Sequence, residues 1–163
     1  MKTKYFSILV LLNLVLLLFF FNKDIIHKEE TLKNGQLILL KLAPVDPRSL
    51  MQGDYMRLNY EITSRFRYSD DIPNRGYLIL VLDEHNVGKK IRFQTNLNPL
   101  KEGEIALHYY YGHRQPILGA ESYFFQEGTG KKYDKAKYGG IIIDAEGNGI
   151  LTGLYDGDYN IIE

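Results

Sequence analysis

The feature that most restricts the fold is an uninterrupted apolar block near the N-terminus. The block, YFSILVLLNLVLLLFFF from Tyr5 to Phe21, has no charged residue, and its one strongly polar residue is Asn13. At about 1.5 Å per residue, a helix of this length spans roughly 26 Å, close to the bilayer hydrocarbon core of about 30 Å. The sequence therefore predicts a transmembrane helix over residues 1–22 that contacts the lipid bilayer through residues 5–21.

Such a block can be a cleaved signal peptide or a permanent signal anchor. A signal peptide needs small residues after the apolar run, and the segment NKDIIHKEETLKNG that follows contains no A-x-A-like site. We therefore expect an anchor. Lys2 and Lys4 precede the block, and the positive-inside rule then places the N-terminus in the cytoplasm and the C-terminal domain outside it.

The rest of the chain has a β pattern behind a polar juxtamembrane stalk at residues 23–35, whose charges can support one or two helical turns. Alternating or apolar runs with turn signals between them predict about seven strands, in 36–42, 55–62, 77–82, 91–95, 104–112, 122–128 and a terminal hairpin with its turn at 146–149. Residues 63–76 form a predicted polar loop, and 131–138 a short helix or turn. The predicted fold of residues 36–163 is all-β with minor α, an antiparallel β-sandwich or partly open barrel.

Composition excludes several classes of function. The chain contains no cysteine, which rules out disulfides, thiolate catalysis and cysteine zinc sites. No metal site is expected, because no further ligands are marked beside His108 and His113. Twenty basic and twenty acidic residues without a basic run argue against nucleic acid as a partner. EGTGKK lacks the P-loop spacing, and no cofactor is expected.

The stretch PVDPRSLMQGDY has the features of a capped turn of helix between two strands. Asp46 is a good N-cap, Pro47 suits the first helical position, and Gly53 suits the position that ends a helix. Arg48 can form an ion pair with Asp46 or Asp54. This interpretation requires no chemistry.

A catalytic interpretation of the same stretch stays open. Ser49 is a candidate nucleophile if a lysine such as Lys137 lies beside it, with Asp54 and Glu127 as further candidates. The membrane anchor, the β-rich exported domain and a Gly-Asp pair ahead of a strand resemble type I signal peptidases, although Ser49 then lies near that family's threonine position and Pro44 occupies the position of its nucleophile. This alternative is an envelope hydrolase with a signal-peptidase-like β fold and a Ser/Lys pair.

The motif GDYMRLNY gives a closer resemblance. Its Gly53, Asp54, Tyr55, Leu58 and Tyr60 match the pattern of the GDYXXLXY family of membrane-anchored bacterial proteins, which this chain resembles from Gln36 to Leu154. The flanking PVDPRSLMQ, the segment FFQEGTG and the terminal glycine- and leucine-containing strand also look like that family. The resemblance implies a membrane location and a gene that is often encoded near multi-pass membrane proteins, and it implies no reaction.

Together these patterns predict a non-catalytic interaction or accessory module for an envelope protein or a multi-pass membrane protein. The residues expected to form its motif or binding surface are Asp46, Pro47, Arg48, Gly53, Asp54, Tyr55, Leu58, Tyr60 and Glu127. Besides the hydrolase, a small-ligand-binding β-barrel remains an alternative.

Overall fold

The computed structural model describes residues 2–43, 55–64, 72–112 and 115–163, with side chains from residue 5 onward. The chain divides into two compact units, residues 1–34 and 35–163. The first unit consists of one helix, α1 (Lys2–Asn34).

Helix α1 is long and apolar enough to cross a membrane, with a mean hydropathy of 2.3 in its apolar window. A signal sequence near an N-terminus has the same features. The helix continues without a break beyond the apolar block to Asn34, further than the one or two turns expected of the stalk. Extension of an existing helix avoids the cost of nucleation, and the Glu29–Lys33 pair at 3.8 Å has the i,i+4 spacing that favours it.

The second unit is built from short antiparallel strands and two short helical segments. The strands of the described residues are β1 (Gln36–Lys41), β2 (Tyr55–Arg57), β3 (Arg75–Leu82), β4 (Gly88–Gln94), β5 (Glu104–Gly112), β6 (Gln115–Ile117), β7 (Ser122–Phe124), β8 (Tyr138–Ile143) and β9 (Gly149–Tyr155). The helical segments are α2 (Glu61–Ser64) and a 3-10 helix (Gly130–Lys135).

These strands form three sheets. One has the order β1-β8-β9, the second is a two-stranded ribbon of β2 and β7, and the third has the order β4-β3-β5-β6. An isolated parallel bridge from Leu39 to Val87, with a hydrogen bond from Leu39 N–H to Asn86 O at 2.8 Å, joins the first sheet to the third. The predicted fold class is confirmed: the structure is mostly β, with antiparallel sheets that include a half-barrel and one N-terminal apolar helix.

One hydrophobic core lies between the sheets. Its fully buried side chains come from every sheet, because alternate strand positions face inward. They include Ile38 and Leu40 of β1, Leu78 and Leu80 of β3, Leu107 and Tyr109 of β5, and Ile141 and Leu154 of the terminal hairpin. The alternation predicted for 104–112 is correct, since Leu107 and Tyr109 are buried and His108 is exposed.

Two predicted strands are shorter than expected, since 122–128 forms a strand only over Ser122–Phe124, and one strand was not predicted. The predicted strand 55–62 pairs only over Tyr55–Arg57, and the chain then enters α2 at Glu61. Strand β6 was missed because Pro116 argues against a strand, yet β6 lies at a sheet edge, where proline is tolerated. The predicted helix or turn at 131–138 is a 3-10 helix over Gly130–Lys135.

Three tight turns in the described part of the chain share one construction. In each, one carboxylate oxygen of an aspartate accepts the backbone N–H groups two and four residues later; the aspartates are Asp83, Asp144 and Asp156. The residue three positions after the aspartate has positive φ: Asn86, Gly147 and Tyr159. The predicted turn at 146–149 was expected to take positive φ from its glycine and asparagine residues. Gly147 has positive φ, whereas Asn148 is not among the positive-φ residues and donates from its side chain to Asp144.

Candidate functional site

The described part of the GDYMRLNY motif runs from the ribbon into the core. Backbone bonds hold it on both sides: Leu58 N–H donates to Glu121 O at 2.8 Å, and Ala43 N–H donates to Asn59 O at 2.8 Å. An isolated bridge also pairs Leu42 with Tyr60. The motif segment therefore connects the ribbon to the end of β1.

Two motif side chains belong to the core. Leu58 and Tyr60 are both buried. Met56, which lies between the exposed residues Tyr55 and Arg57 of β2, is buried as well. These three positions are the inward set of the alternation predicted from sequence, although the hydrogen-bonded strand ends before Leu58. The leucine and the second tyrosine of the motif thus have a structural role.

Tyr60 is tied to a distant segment by its hydroxyl. The phenolic O–H donates to the backbone oxygen of Ala120 at 2.6 Å. Burial raises the pKa of Tyr60, and the negative charge of Glu121 raises it further, so the ring stays neutral and able to donate. Gly139 of β8 lies against the ring, where an added Cβ would be 3.0 Å from Cε1. A side chain at this position would crowd the tyrosine ring, which would have to shift by a few tenths of an ångström.

The ribbon presents its other side to solvent. Tyr55 is paired with Phe124 and Arg57 with Ser122, and all four side chains are exposed. The rings of Tyr55 and Phe124 lie 5.9 Å apart, and Phe124 is 73% exposed. We call these four residues, Tyr55, Arg57, Ser122 and Phe124, the ribbon face.

An aromatic cluster supports the ribbon from beneath. Tyr123, the cross-strand partner of Met56, packs edge-on against Tyr133 of the 3-10 helix at 5.2 Å, and Phe125 packs on the same ring at 5.4 Å. Burial raises the pKa of Tyr123 to about 12, and its hydrogen bond with Tyr133 contributes. These contacts fix β7 and so the position of Phe124 on the exposed side.

The other predicted site residues do not gather at the ribbon face. Glu127 is exposed in the turn before the 3-10 helix. Lys137 is also exposed, and its backbone bonds to Leu42 and Tyr155 place it between β1 and β9. Asp46, Pro47, Arg48, Ser49, Gly53 and Asp54 lie outside the described residues, so the capped turn, the ion pair and the Ser49–Lys137 pair stay predictions.

Sequence reasoning missed Phe124 as a surface residue. The run SYFF places Tyr123 and Phe124 on opposite sides of any strand, which was the available signal. The sequence did not show which of the two rings faces solvent, because that depends on the packing of Tyr123 against the 3-10 helix.

Comparison with known proteins gives one family. The model of the family described as "GDYXXLXY protein" matches residues 17–154, which is most of the chain and includes the last five residues of the apolar block. No curated protein and no solved structure matches the chain. The resemblance seen in the motif is confirmed.

Proposed function

This chain belongs to the GDYXXLXY family, and we propose that it is a membrane-anchored module that binds another membrane or envelope protein through the ribbon face. In this proposal α1 holds the chain in the bilayer and the β-domain works outside the cytoplasm. The module performs no reaction of its own.

The exposed Tyr55–Phe124 pair is the observation that supports this proposal. A phenylalanine that is 73% exposed on a paired strand presents a large apolar area to water. Aromatic residues and arginine are the types enriched where protein partners bind, and Arg57 lies beside the pair on the same face. The partner surface that suits this face is an apolar depression with an acidic group at its edge, opposite Arg57.

Rigidity of the ribbon supports the same interpretation. Met56 and Tyr123 fix its inner side to the core and to the 3-10 helix, so the two exposed rings are held in place before a partner arrives. A preorganised surface loses less conformational entropy on binding than a mobile one. The motif then has a double use, with Leu58 and Tyr60 holding the segment and Tyr55 contributing to the contact.

The anchor supports the choice of partner. A helix that is retained in the bilayer confines the β-domain to the membrane surface, where integral membrane proteins and envelope proteins are its neighbours. Lys2 and Lys4 before the apolar block favour a cytoplasmic N-terminus.

Co-purification from crosslinked native membranes tests the proposal. We expect full-length protein to recover a specific membrane partner, and Phe124→Ser to lose it. Ile91→Ser is the matched control, because Ile91 is 49% exposed on β4, away from the ribbon. Equal recovery with both variants contradicts the ribbon face as the contact. Accumulation of an uncut envelope substrate in cells with Ser49→Ala would instead support the hydrolase.

A further inference from the structure

Asn13 lies at the centre of the apolar block. Tyr5 and Phe21 are the ends of the block, and Asn13 is eight residues from each. In a helix that spans the bilayer, this position is the middle of the hydrocarbon core, where an amide without a hydrogen-bond partner is most unfavourable. The side chain of Asn13 is exposed, and within the described residues it makes no hydrogen bond.

The second asparagine of the same region behaves differently. Asn22 donates from its side-chain nitrogen to the backbone oxygen of Leu18 at 2.8 Å, so its own helix provides a partner. The two asparagines are nine residues apart, which at about 100° per residue puts them on opposite sides of α1. Of these two asparagines in the described helix, only Asn13 has a side chain without a hydrogen bond.

The side chains around Asn13 form a shallow groove along α1. It is lined by Asn13, Leu16, Leu17, Phe20, Phe21 and Asp24. Their spacing of three and four residues gives one continuous face of a helix. This is the periodicity with which two helices pack side by side at a small crossing angle.

We infer that α1 associates with the α1 of a second copy of this chain, with Asn13 hydrogen-bonded to Asn13 of the other copy in a parallel helix pair. The inference rests on the proposed function in one respect, because it requires that α1 remain in the membrane. It adds a homodimer interface within the bilayer, separate from the ribbon face.

A second copy satisfies the chemistry of the groove. A primary amide both donates and accepts, so two of them at the same depth can satisfy one another, and parallel copies with the same topology place them at the same depth. Leu16, Leu17 and Phe20 provide the apolar packing on either side of Asn13.

Energy transfer between fluorescent copies of the full-length protein tests the dimer. The chain has no cysteine, so one cysteine added after Glu163 carries the donor or the acceptor dye without competing sites. The labelled protein is reconstituted in lipid vesicles and diluted with unlabelled lipid. An interhelical polar contact of the usual strength predicts that Asn13→Leu weakens association by roughly three- to thirtyfold.

Two further variants make the result specific. Asn13→Gln keeps the amide and is expected to retain most of the association. Asn22→Leu removes an asparagine from the opposite side of the helix and is expected to leave the association unchanged. Equal association of wild type and Asn13→Leu, or a monomeric wild type, overturns the inference.

Membrane retention is measured first on the same samples. Alkaline extraction and the intact mass of the chain show whether α1 is still present. A processed chain that leaves the membrane overturns both the anchored module and the dimer. A retained chain that stays monomeric in vesicles overturns only the dimer. Crosslinking from residue 17 in native membranes gives a second check, because a crosslink to a different protein instead of a second copy also overturns only the dimer.

Discussion

The hydroxyl of Tyr60 donates to the backbone oxygen of Ala120 at 2.6 Å, and the two residues are 60 positions apart in the chain. Ala120 lies two residues before β7, so this contact and the backbone bond from Leu58 N–H to Glu121 O together hold the motif segment against the ribbon partner. It gives a physical reason for a tyrosine, and not a phenylalanine, at the last position of the motif.

Replacement of Tyr60 by phenylalanine tests that contact. Tyr60→Phe keeps the ring but leaves the buried oxygen of Ala120 without its donor, and we expect a loss of about 1–3 kcal/mol in the free energy of unfolding. Urea denaturation of the full-length protein in detergent measures it. Tyr110→Phe is the control, because Tyr110 is 46% exposed, and its change is expected to stay within about 0.5 kcal/mol. Equal stability of wild type and Tyr60→Phe would show that the contact contributes nothing.

Alkaline pH tests the same residue by another route. Burial and the charge of Glu121 raise the pKa of Tyr60 above its usual value. The resulting stability is fully present below the unfolded-state pKa of about 10 and is lost as pH rises beyond it toward the folded-state pKa. We expect wild type to lose stability more steeply above about pH 10 than Tyr60→Phe does, in urea midpoints measured across that range. Parallel curves would contradict the assignment.

Gly139 is expected to be intolerant of a side chain. Gly139→Ala places a Cβ 3.0 Å from Cε1 and 3.1 Å from the hydroxyl oxygen of Tyr60, and overpacking of this kind costs about 1–3 kcal/mol. Gly157→Ala is the control, because the nearest atom to its added Cβ is Lys137 Cγ at 3.9 Å. We also expect the cost of Gly139→Ala to be smaller in the Tyr60→Phe background, where the hydroxyl is gone. Strict additivity of the two changes would contradict their contact.

Acid pH reports on the β4–β5 ion pair. Arg92 donates to both carboxylate oxygens of Glu104, at 2.8 Å for one of them. The backbone N–H of Lys101 also donates to this carboxylate, and the two donors together lower the pKa of Glu104 to about 2. The contribution is present above the unfolded-state pKa of about 4.3 and is lost as pH falls toward 2.

We therefore expect Glu104→Gln to flatten the loss of stability between about pH 4.5 and pH 2. Urea midpoints at several pH values measure the effect, and Glu102→Gln, at an exposed position of the preceding turn, serves as control. An NMR titration that finds an ordinary pKa for Glu104 would rule out the ion pair in solution.

Much of the fold follows from local patterns in the sequence. The apolar block was predictable from its length and lack of charge, and β1 from its run of apolar residues. The alternation of β5 was predictable because one side of that strand must be buried whatever its partner is. The end of β2 at Arg57 was not predictable, because the apolar alternation continues to Tyr60. Tyr60 is held in the core by a side-chain bond to a distant residue and not by the hydrogen bonds of a β-ladder. Strand β6 was not predicted because proline is unfavourable within a sheet. Pro116 is tolerated in β6 because this strand lies at the edge of its sheet.

The candidate site was less predictable than the fold. The motif pointed to Tyr55, Leu58 and Tyr60, but their separation into one exposed and two buried residues depends on tertiary packing. The pairing of Tyr55 with Phe124 depends on the register between β2 and β7, which are far apart in sequence. No local pattern defines such a register. The proposed helix interface, by contrast, depends on a local feature of the sequence, the position of Asn13 within the apolar block.

The most direct test of the ribbon face is site-specific photocrosslinking in intact membranes. A photoreactive amino acid at position 124 is compared with one at position 91, on an exposed residue away from the ribbon. We expect a discrete crosslink from position 124 to one membrane or envelope protein, absent from position 91 and lost when Tyr55→Ser is added. Equal crosslinking from both positions, or none from position 124 while the protein is intact in its membrane, would contradict it.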